Sequence, residues 1–266
     1  GPGLAQDNEV RFPAGVTALL FHPDSKWLFC GLVDGQIKAF RQDPPAEATL
    51  LGHAGPVTSL LVVETVLLSG SEDCTCRAWK HDGQNFNAVA TITCPLGEVL
   101  ALRQMPGSLW LGALRGITCV SMETMQPVGN IESPEPVVGL LPYQDSFVLA
   151  AFSNGVVKVY DSSGKEQFSH GPLGEHTTNS AVAILRHPFD NKDLLLCGQE
   201  LGYVTVYEIP SFRPRGTFTT GYEGDVVAIL DMGGGSGMFT TCGMTGDVVL
   251  WQWVQGGGPV SMGCLS

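Results

Sequence analysis

The chain has 266 residues, with 14 Lys and Arg against 26 Asp and Glu, for a net charge of −12. That balance argues against a nucleic acid or an anionic membrane surface as direct partner, because both are held mainly by cationic side chains. Thirty-four glycines and 17 prolines suit a chain with many tight turns, long enough for one large all-β domain.

Taken in order, residues 1–8 read as flexible, and Gly1-Pro2-Gly3 reads as the scar of a cleaved tag on a longer native protein. Residues 9–255 read as a single β domain and residues 256–266 as a flexible Gly-rich tail. Glu9-Val10-Arg11-Phe12 is a candidate strand that would complete the last sheet. The first repeating unit runs from Val16 to about Leu51, and the second reaches about Cys94. The third spans Glu98 to Glu132 and the fourth Val137 to Gly171. The fifth ends near Thr219, and the sixth follows. Each unit opens on an apolar run such as Val16-Thr17-Ala18-Leu19-Leu20, Val57-Thr58-Ser59-Leu60-Leu61 or Val226-Val227-Ala228-Ile229-Leu230. The turns between second and third runs fall at Gly35, Cys74, Gly116, Gly155, Gly202 and Gly246, with spacings of 39, 42, 39, 47 and 44 residues. That is close to the period of a four-stranded propeller blade.

Eight cysteines are scattered without a C-x-x-C pair or a Cys/His group at zinc-ligand spacing. No metal or cofactor is expected. There is no glycosylation sequon, signal peptide or membrane-length apolar run. A reducing compartment is expected: the cytoplasm, with the nucleus or a ciliary or centriolar space as alternatives. Ser162-Ser163-Gly164-Lys165 reads as hairpin chemistry, not as a catalytic S-x-x-K motif. The glycine run 233–237 lacks the Gly-Lys-Ser/Thr of a phosphate loop. Trp110 reads as core, and His22 and His187 read as turn residues.

On these repeats the chain resembles the WD-repeat β-propeller family over nearly its whole length. The resemblance implies an all-β fold of six four-stranded blades, with seven as the alternative. The second unit carries the family's hydrogen-bonded tetrad: His53, Ser69, Asp73 and Trp79. A buried indole N–H can only donate, and a hydroxyl can accept from it. The hydroxyl and the carboxylate can then hold the imidazole between them. A His-Asp-Ser set can also be a catalytic triad. Here all four residues sit at repeat-defined positions and not in a cleft, so they read as a blade staple. None of the other units keeps the Gly-His pair. The stretch Leu195 to Phe212 is also similar to a blade of plant and algal zinc-finger WD-repeat proteins, in which RNA-binding Cys-Cys-Cys-His fingers precede a propeller. No such finger lies within these 266 residues.

In this family the loops between second and third strands share a face with the loops between blades. By register that face holds Asp34, Glu72, Asp73, Arg115, Asn154, Glu200, Leu201 and Met244, together with Glu98, Glu132, Glu135, Glu175, Glu223 and Asp225. Acids outnumber bases there far more than in the chain as a whole. The long polar loop from Pro172 to Asn179 is a second place for function. The expected role is a non-catalytic protein-interaction scaffold whose acidic face binds a basic peptide or protein surface. The alternative is the propeller arm of an RNA-binding zinc-finger protein, recruiting partners to RNA.

Overall fold

The computed structural model describes residues 12, 14–144, 146–172, 178–233 and 235–265. Six four-stranded antiparallel sheets, each with its strands in sequential order, make a six-bladed β-propeller. The first sheet is Val16–His22, Trp27–Leu32, Ile37–Gln42 and Pro45–Leu50. The second is Val57–Val63, Val66–Ser71, Thr75–His81 and Phe86–Thr93, and the third Val99–Met105, Ser108–Ala113, Gly116–Ser121 and Pro127–Glu132. The fourth is Val137–Tyr143, Phe147–Phe152, Val157–Asp161 and Glu166–His170. The fifth is Ala181–Arg186, Asp193–Gly198, Tyr203–Ile209 and Arg213–Thr219. The sixth is Val226–Asp231, Met238–Gly243, Val248–Trp253 and Pro259–Leu265. The chain divides into two compact units: Val10–Val148 with Tyr160–Lys165, and Leu149–Val159 with Glu166–Ser266.

The turn after each second strand shows why the repeat is visible in the sequence. Gly35, Gly116, Gly155, Gly202 and Gly246 all have positive φ, and so does Cys74 at +64°. A residue without a Cβ enters that region freely, which is why five of the six are glycine. Second strands are buried on both faces, as in Leu109-Trp110-Leu111 and Leu194-Leu195-Leu196, so they read as continuous apolar runs. Outer strands such as Pro127–Glu132 are largely exposed and read as polar.

Within each unit the sheets pack by one repeated device. A Cβ added at Gly31 would lie 2.6 Å from Val57 Cγ1, and one at Gly70 would lie 2.6 Å from Val99 Cγ1. At Gly112 the neighbour is Val137 Cγ1 at 2.9 Å, and at Gly198 it is Val226 Cγ1 at 2.8 Å. In each case a valine heading one sheet sits on a glycine in the second strand of the sheet before. At the fourth sheet the glycine's place is taken by Ala151, and the residue in the heading register of the fifth sheet, just before Ser180, is the buried Asn179, whose Nδ2 donates to Phe152 O at 3.2 Å. Hydroxyls lock the same joints. Thr17 Oγ1 donates to Val57 O at 2.7 Å, Thr58 Oγ1 donates to Val99 O, and Ser180 Oγ donates to Val226 O at 2.8 Å. In the first unit, one core joins Trp27, Phe29 and Ile37 of the first sheet to Val57, Leu67 and Trp79 of the second. In the second unit, Leu194, Leu196, Val204 and Val206 of the fifth sheet pack with Val226, Phe239, Val249 and Trp251 of the sixth.

Two expectations are corrected. The outer strand of the last sheet is Pro259–Leu265, paired along Val248–Trp253, and not the segment ending at Phe12. The stretch from 256 is therefore not a loose tail through residue 265. Its glycines make the turn, where Gly257 N–H donates to Val254 O at 3.2 Å, and the chain then runs back as a strand. Residues 1–11, which contain the rest of the expected N-terminal strand, lie outside the described residues.

Trp110 is core, with its Nε1–H donating to Ser108 Oγ at 3.2 Å. Ser163 sits in a hairpin turn, its Oγ donating to Asp161 Oδ1 at 2.6 Å. All eight cysteines are free thiols.

Candidate functional site

The tetrad of the second sheet has the geometry that its residue types allow. Trp79 Nε1–H donates to Ser69 Oγ at 2.8 Å. His53 Nε2 lies 2.7 Å from the same Ser69 Oγ, and His53 Nδ1 lies 2.8 Å from Asp73 Oδ2. With a neutral imidazole protonated on Nδ1, every group is satisfied: indole to hydroxyl, hydroxyl to Nε2, and Nδ1–H to carboxylate. Asp73 also accepts from Ala54 N–H at 3.0 Å, Thr75 N–H at 2.9 Å and Thr75 Oγ1 at 2.6 Å. Ser69, Trp79 and His53 are all buried. Ser69 Oγ is engaged on both sides by Trp79 and His53, and Ser69 is fully buried, as suits a staple within the sheet.

Burial pushes the His53 pKa down, against the pull of Asp73. Burial would raise that of Asp73, but the hydrogen bonds from Thr75, Ala54 and His53 outweigh it and bring it down to about 2. The sign follows for both groups. The unfolded His53 takes up a proton near 6.5 while the folded one resists it, so stability is present above about that pH and falls as pH drops through it. Asp73 gives stability above its ordinary 3.8 that is lost on the way down to about 2. Wild type should therefore lose more of its melting temperature between about pH 7.5 and 5.5 than a His53→Tyr variant does. Thermal melts followed by Trp fluorescence check this, and equal slopes would count against it.

Sequence reasoning missed a second staple of the same kind. In the sixth sheet, Trp251 Nε1–H donates to Thr241 Oγ1 at 2.9 Å. Tyr222 OH donates to Thr241 O at 2.7 Å and lies 2.9 Å from Thr241 Oγ1. Tyr222 stands four positions before Val226, as His53 stands four before Val57. The signal was Gly221-Tyr222 in place of Gly52-His53. The first sheet carries an apolar form: Phe12 lies four positions before Val16, and its ring centroid is 5.8 Å from that of Phe40. Cys30 stands where Ser69 stands in the second sheet. With no indole N–H to satisfy, the hydroxyl and imidazole are not required.

Several of the loops assigned to one face are joined by backbone hydrogen bonds within each unit. In the first, Glu72 N–H donates to Pro56 O at 3.0 Å, Leu114 N–H to Glu98 O at 3.2 Å and Ser133 N–H to Arg115 O at 3.0 Å. The turns that hold Glu72 and Arg115 therefore lie against the loops that hold Pro56, Glu98 and Glu135. Asp34, Glu72, Arg115 and Glu132 are exposed, while Glu98 and Glu135 are half-buried. Arg115 Nη2 donates to Pro95 O at 2.9 Å, so the guanidinium is anchored to a backbone carbonyl. Beside it lies a hollow of about 600 Å³ lined by Pro95, Leu96, Arg115, Asn130, Glu132, Ser133 and Pro134.

In the second unit, Met244 N–H donates to Asp225 O at 3.2 Å and Val226 N–H to Gln199 O at 3.2 Å. Glu200, Leu201 and Glu223 are exposed there. Leu201 has a φ of +57° and keeps 59% of its surface open. Glu175 and His176 of the long polar loop lie outside the described residues.

Ion pairs fall elsewhere: Lys158–Glu166 at 2.8 Å, Arg186–Asp193 at 3.0 Å, Lys192–Glu208 at 2.6 Å, and Arg215 with both Asp190 at 2.5 Å and Glu208 at 2.9 Å. Among the described residues, none of them engages Asp34, Glu72, Glu98, Glu132, Glu200 or Glu223.

Comparison with known proteins agrees with this geometry. The family model "WD domain, G-beta repeat" matches residues 10–41 and 46–80. Zinc finger CCCH domain-containing protein 17 of Oryza sativa subsp. japonica is 27% identical over 245 residues, covering 88% of this chain and 53% of that protein. Zinc finger CCCH domain-containing protein 62 of Arabidopsis thaliana is 22% identical over 252 residues, covering 88% of this chain and 56% of that protein. The chain thus spans about half the length of these curated relatives. Among solved structures, the WD40 β-propeller domain of Doa1 superposes with a TM-score of 0.74 at 17% identity, over 90% of this chain and 79% of that one. With its six four-stranded sheets and a complete tetrad in the second, the chain has the fold of the WD-repeat β-propellers, and its first two sheets carry the repeat that the family model describes.

Proposed function

We propose that this propeller is an interaction scaffold whose acidic loops bind a basic segment, an Arg/Lys-rich peptide or a basic protein surface. One observation carries the reading. Among the described residues no ion pair engages the carboxylates of Asp34, Glu72, Glu98 and Glu132, while Lys158, Arg186, Lys192 and Arg215 pair with acids elsewhere. Uncompensated carboxylates at one end set up a field that steers cationic partners and selects against anionic ones. The hollow beside Arg115 suits one side chain of such a segment, with Pro95, Leu96 and Pro134 against its apolar stem and Glu132 near its charged end. Glu200, Leu201 and Glu223 present an equivalent set on the second unit.

Binding of this kind weakens with salt, because exposed charges are screened within about 10 Å at 0.1 M. The affinity for an arginine-rich peptide, read by fluorescence anisotropy, should fall at least about tenfold between roughly 50 and 500 mM salt. An affinity that does not change with salt would contradict the proposal.

A second reading is favoured by the likeness to zinc finger CCCH proteins. There the propeller would be the partner-recruiting arm of a polypeptide whose fingers hold RNA. It predicts Cys-Cys-Cys-His fingers in the same full-length product, which the complete transcript would reveal.

A further inference from the structure

Within the first unit, the corner between the first two sheets is open at the end away from the acidic loops. Within the second unit, the matching corner between the fifth and sixth sheets is closed. The first hairpin of the fifth sheet, from Ala181 to its partner Gly198, is longer than that of the first sheet, from Ala18 to its partner Gly31. The longer hairpin reaches the sixth sheet. The His187 ring stands edge-on 5.1 Å from that of Trp253, and a Cβ added at Gly237 would lie 2.5 Å from Pro188 Cγ. Beside the shorter hairpin there is instead a hollow of about 590 Å³. His81 lines it, two positions after Trp79, as Trp253 stands two after Trp251 in the closed corner. The other aromatic walls are Trp27, Phe29 and Phe86. The Phe86 ring centroid is 5.2 Å from that of Trp27, 5.5 Å from that of Phe29 and 4.7 Å from that of His81. The exposed residues Asp24 and Glu64 complete the lining, and among the described residues no ion pair engages either.

We propose that this hollow binds a proline-rich segment with a basic residue beside its prolines. Three observations select that occupant. Arg41 already lies over Trp27, its Cζ 4.9 Å from the ring centroid, and its Nε–H donates to Pro44 O at 3.1 Å. A second cation on that indole would be repelled, so a neutral ring suits the aromatic walls. In the second unit the chain itself sets a proline, Pro188, into the matching corner. Trp79, Trp110 and Trp251 donate their indole N–H within the protein, whereas Trp27 Nε1–H has no acceptor among the described residues. Proline-rich segments form an extended helix whose backbone carbonyls are unpaired, and such segments dock in aromatic-lined grooves. The carboxylates of Asp24 and Glu64 then complement an Arg or Lys at the end of the segment. The site lies at the opposite end of the sheets from the acidic loops and does not rest on their role.

Fluorescence anisotropy with the labelled peptide Arg-Pro-Leu-Pro-Pro-Leu-Pro tests this, with circular dichroism to confirm that each variant folds. The wild type should bind the peptide, and replacing its prolines by alanine should weaken binding at least about tenfold. Thr65 lines the hollow and is exposed, so Thr65→Trp should keep the fold, fill the space and weaken binding at least about tenfold. Glu64→Lys should weaken binding at least about threefold, but not when leucine replaces the arginine of the peptide. The Glu72→Lys, Glu98→Lys, Glu135→Lys triple variant should bind as the wild type does. No binding at about 1 mM peptide would overturn the proposal. So would equal binding of the alanine peptide, or binding that Thr65→Trp leaves unchanged. Loss of binding in the triple variant would place the peptide on the acidic loops and overturn it as well.

Discussion

Replacing Ser69 by alanine is expected to cost about 3 kcal/mol, within the range for leaving two buried polar groups unpaired. The change strips Trp79 Nε1–H of its acceptor and His53 Nε2 of its donor at once. Water cannot easily replace either, since Ser69 is 0% exposed and Trp79 only 2%. For a domain of this size the melting temperature should fall by roughly 6–12 °C. Ser69→Thr is the informative control, because Thr241 already plays this part beside Trp251 in the sixth sheet. It keeps the hydroxyl and adds one methyl, so it should cost less than half as much as alanine. Equal losses for the two variants would mean that packing, not the hydrogen bonds, holds this corner.

The second large effect is expected at the glycine seats. Gly31→Ala places a methyl 2.6 Å from Val57 Cγ1 and 2.9 Å from Val57 Cβ. Rotating the valine side chain relieves only the first contact, so the backbones must separate. An alanine usually gains about 0.5–1 kcal/mol over glycine within a strand. The clash outweighs that gain, and a net loss of about 2 kcal/mol is expected. Val57→Ala alone leaves a small cavity and is also destabilising. Combined, the two should recover much of the loss, because the shorter side chain at position 57 leaves room for the added methyl. Denaturant melts of the wild type, both single variants and the double variant form a cycle whose coupling should exceed about 1 kcal/mol. Additive costs would show that the two residues do not share a seat.

The repeat could be read from the sequence because its turns demand positive φ, and that demand falls on glycine at nearly every copy. The same dependence on glycine explains the misreading of the last strand. Gly256-Gly257-Gly258 looked like the start of a loose end, yet it is the turn before Pro259–Leu265. The staple around Tyr222 was hidden because a phenol does the work of an imidazole there without needing a carboxylate: its hydroxyl donates directly to Thr241 O. The valine-on-glycine seats pair residues from successive repeats, so no single repeat displays them. Register assigned the acidic loops to one end of each unit, and several of them are joined there by backbone hydrogen bonds. What the sequence did not display was the distribution of ion pairs: Asp190 and Glu208 engage cations through the fold, while among the described residues no ion pair engages Glu72 or Glu98.

The most direct test is an affinity pull-down from the native cell type with mass-spectrometric readout, comparing wild type with the Glu72→Lys, Glu98→Lys, Glu135→Lys triple variant. Glu72 is exposed and the other two are half-buried at the same end of one unit, so the variant should fold and reverse the local field. Capture of basic proteins by the wild type, lost with the variant, is the predicted result. The same proteins coming down with both would contradict the acidic-face account.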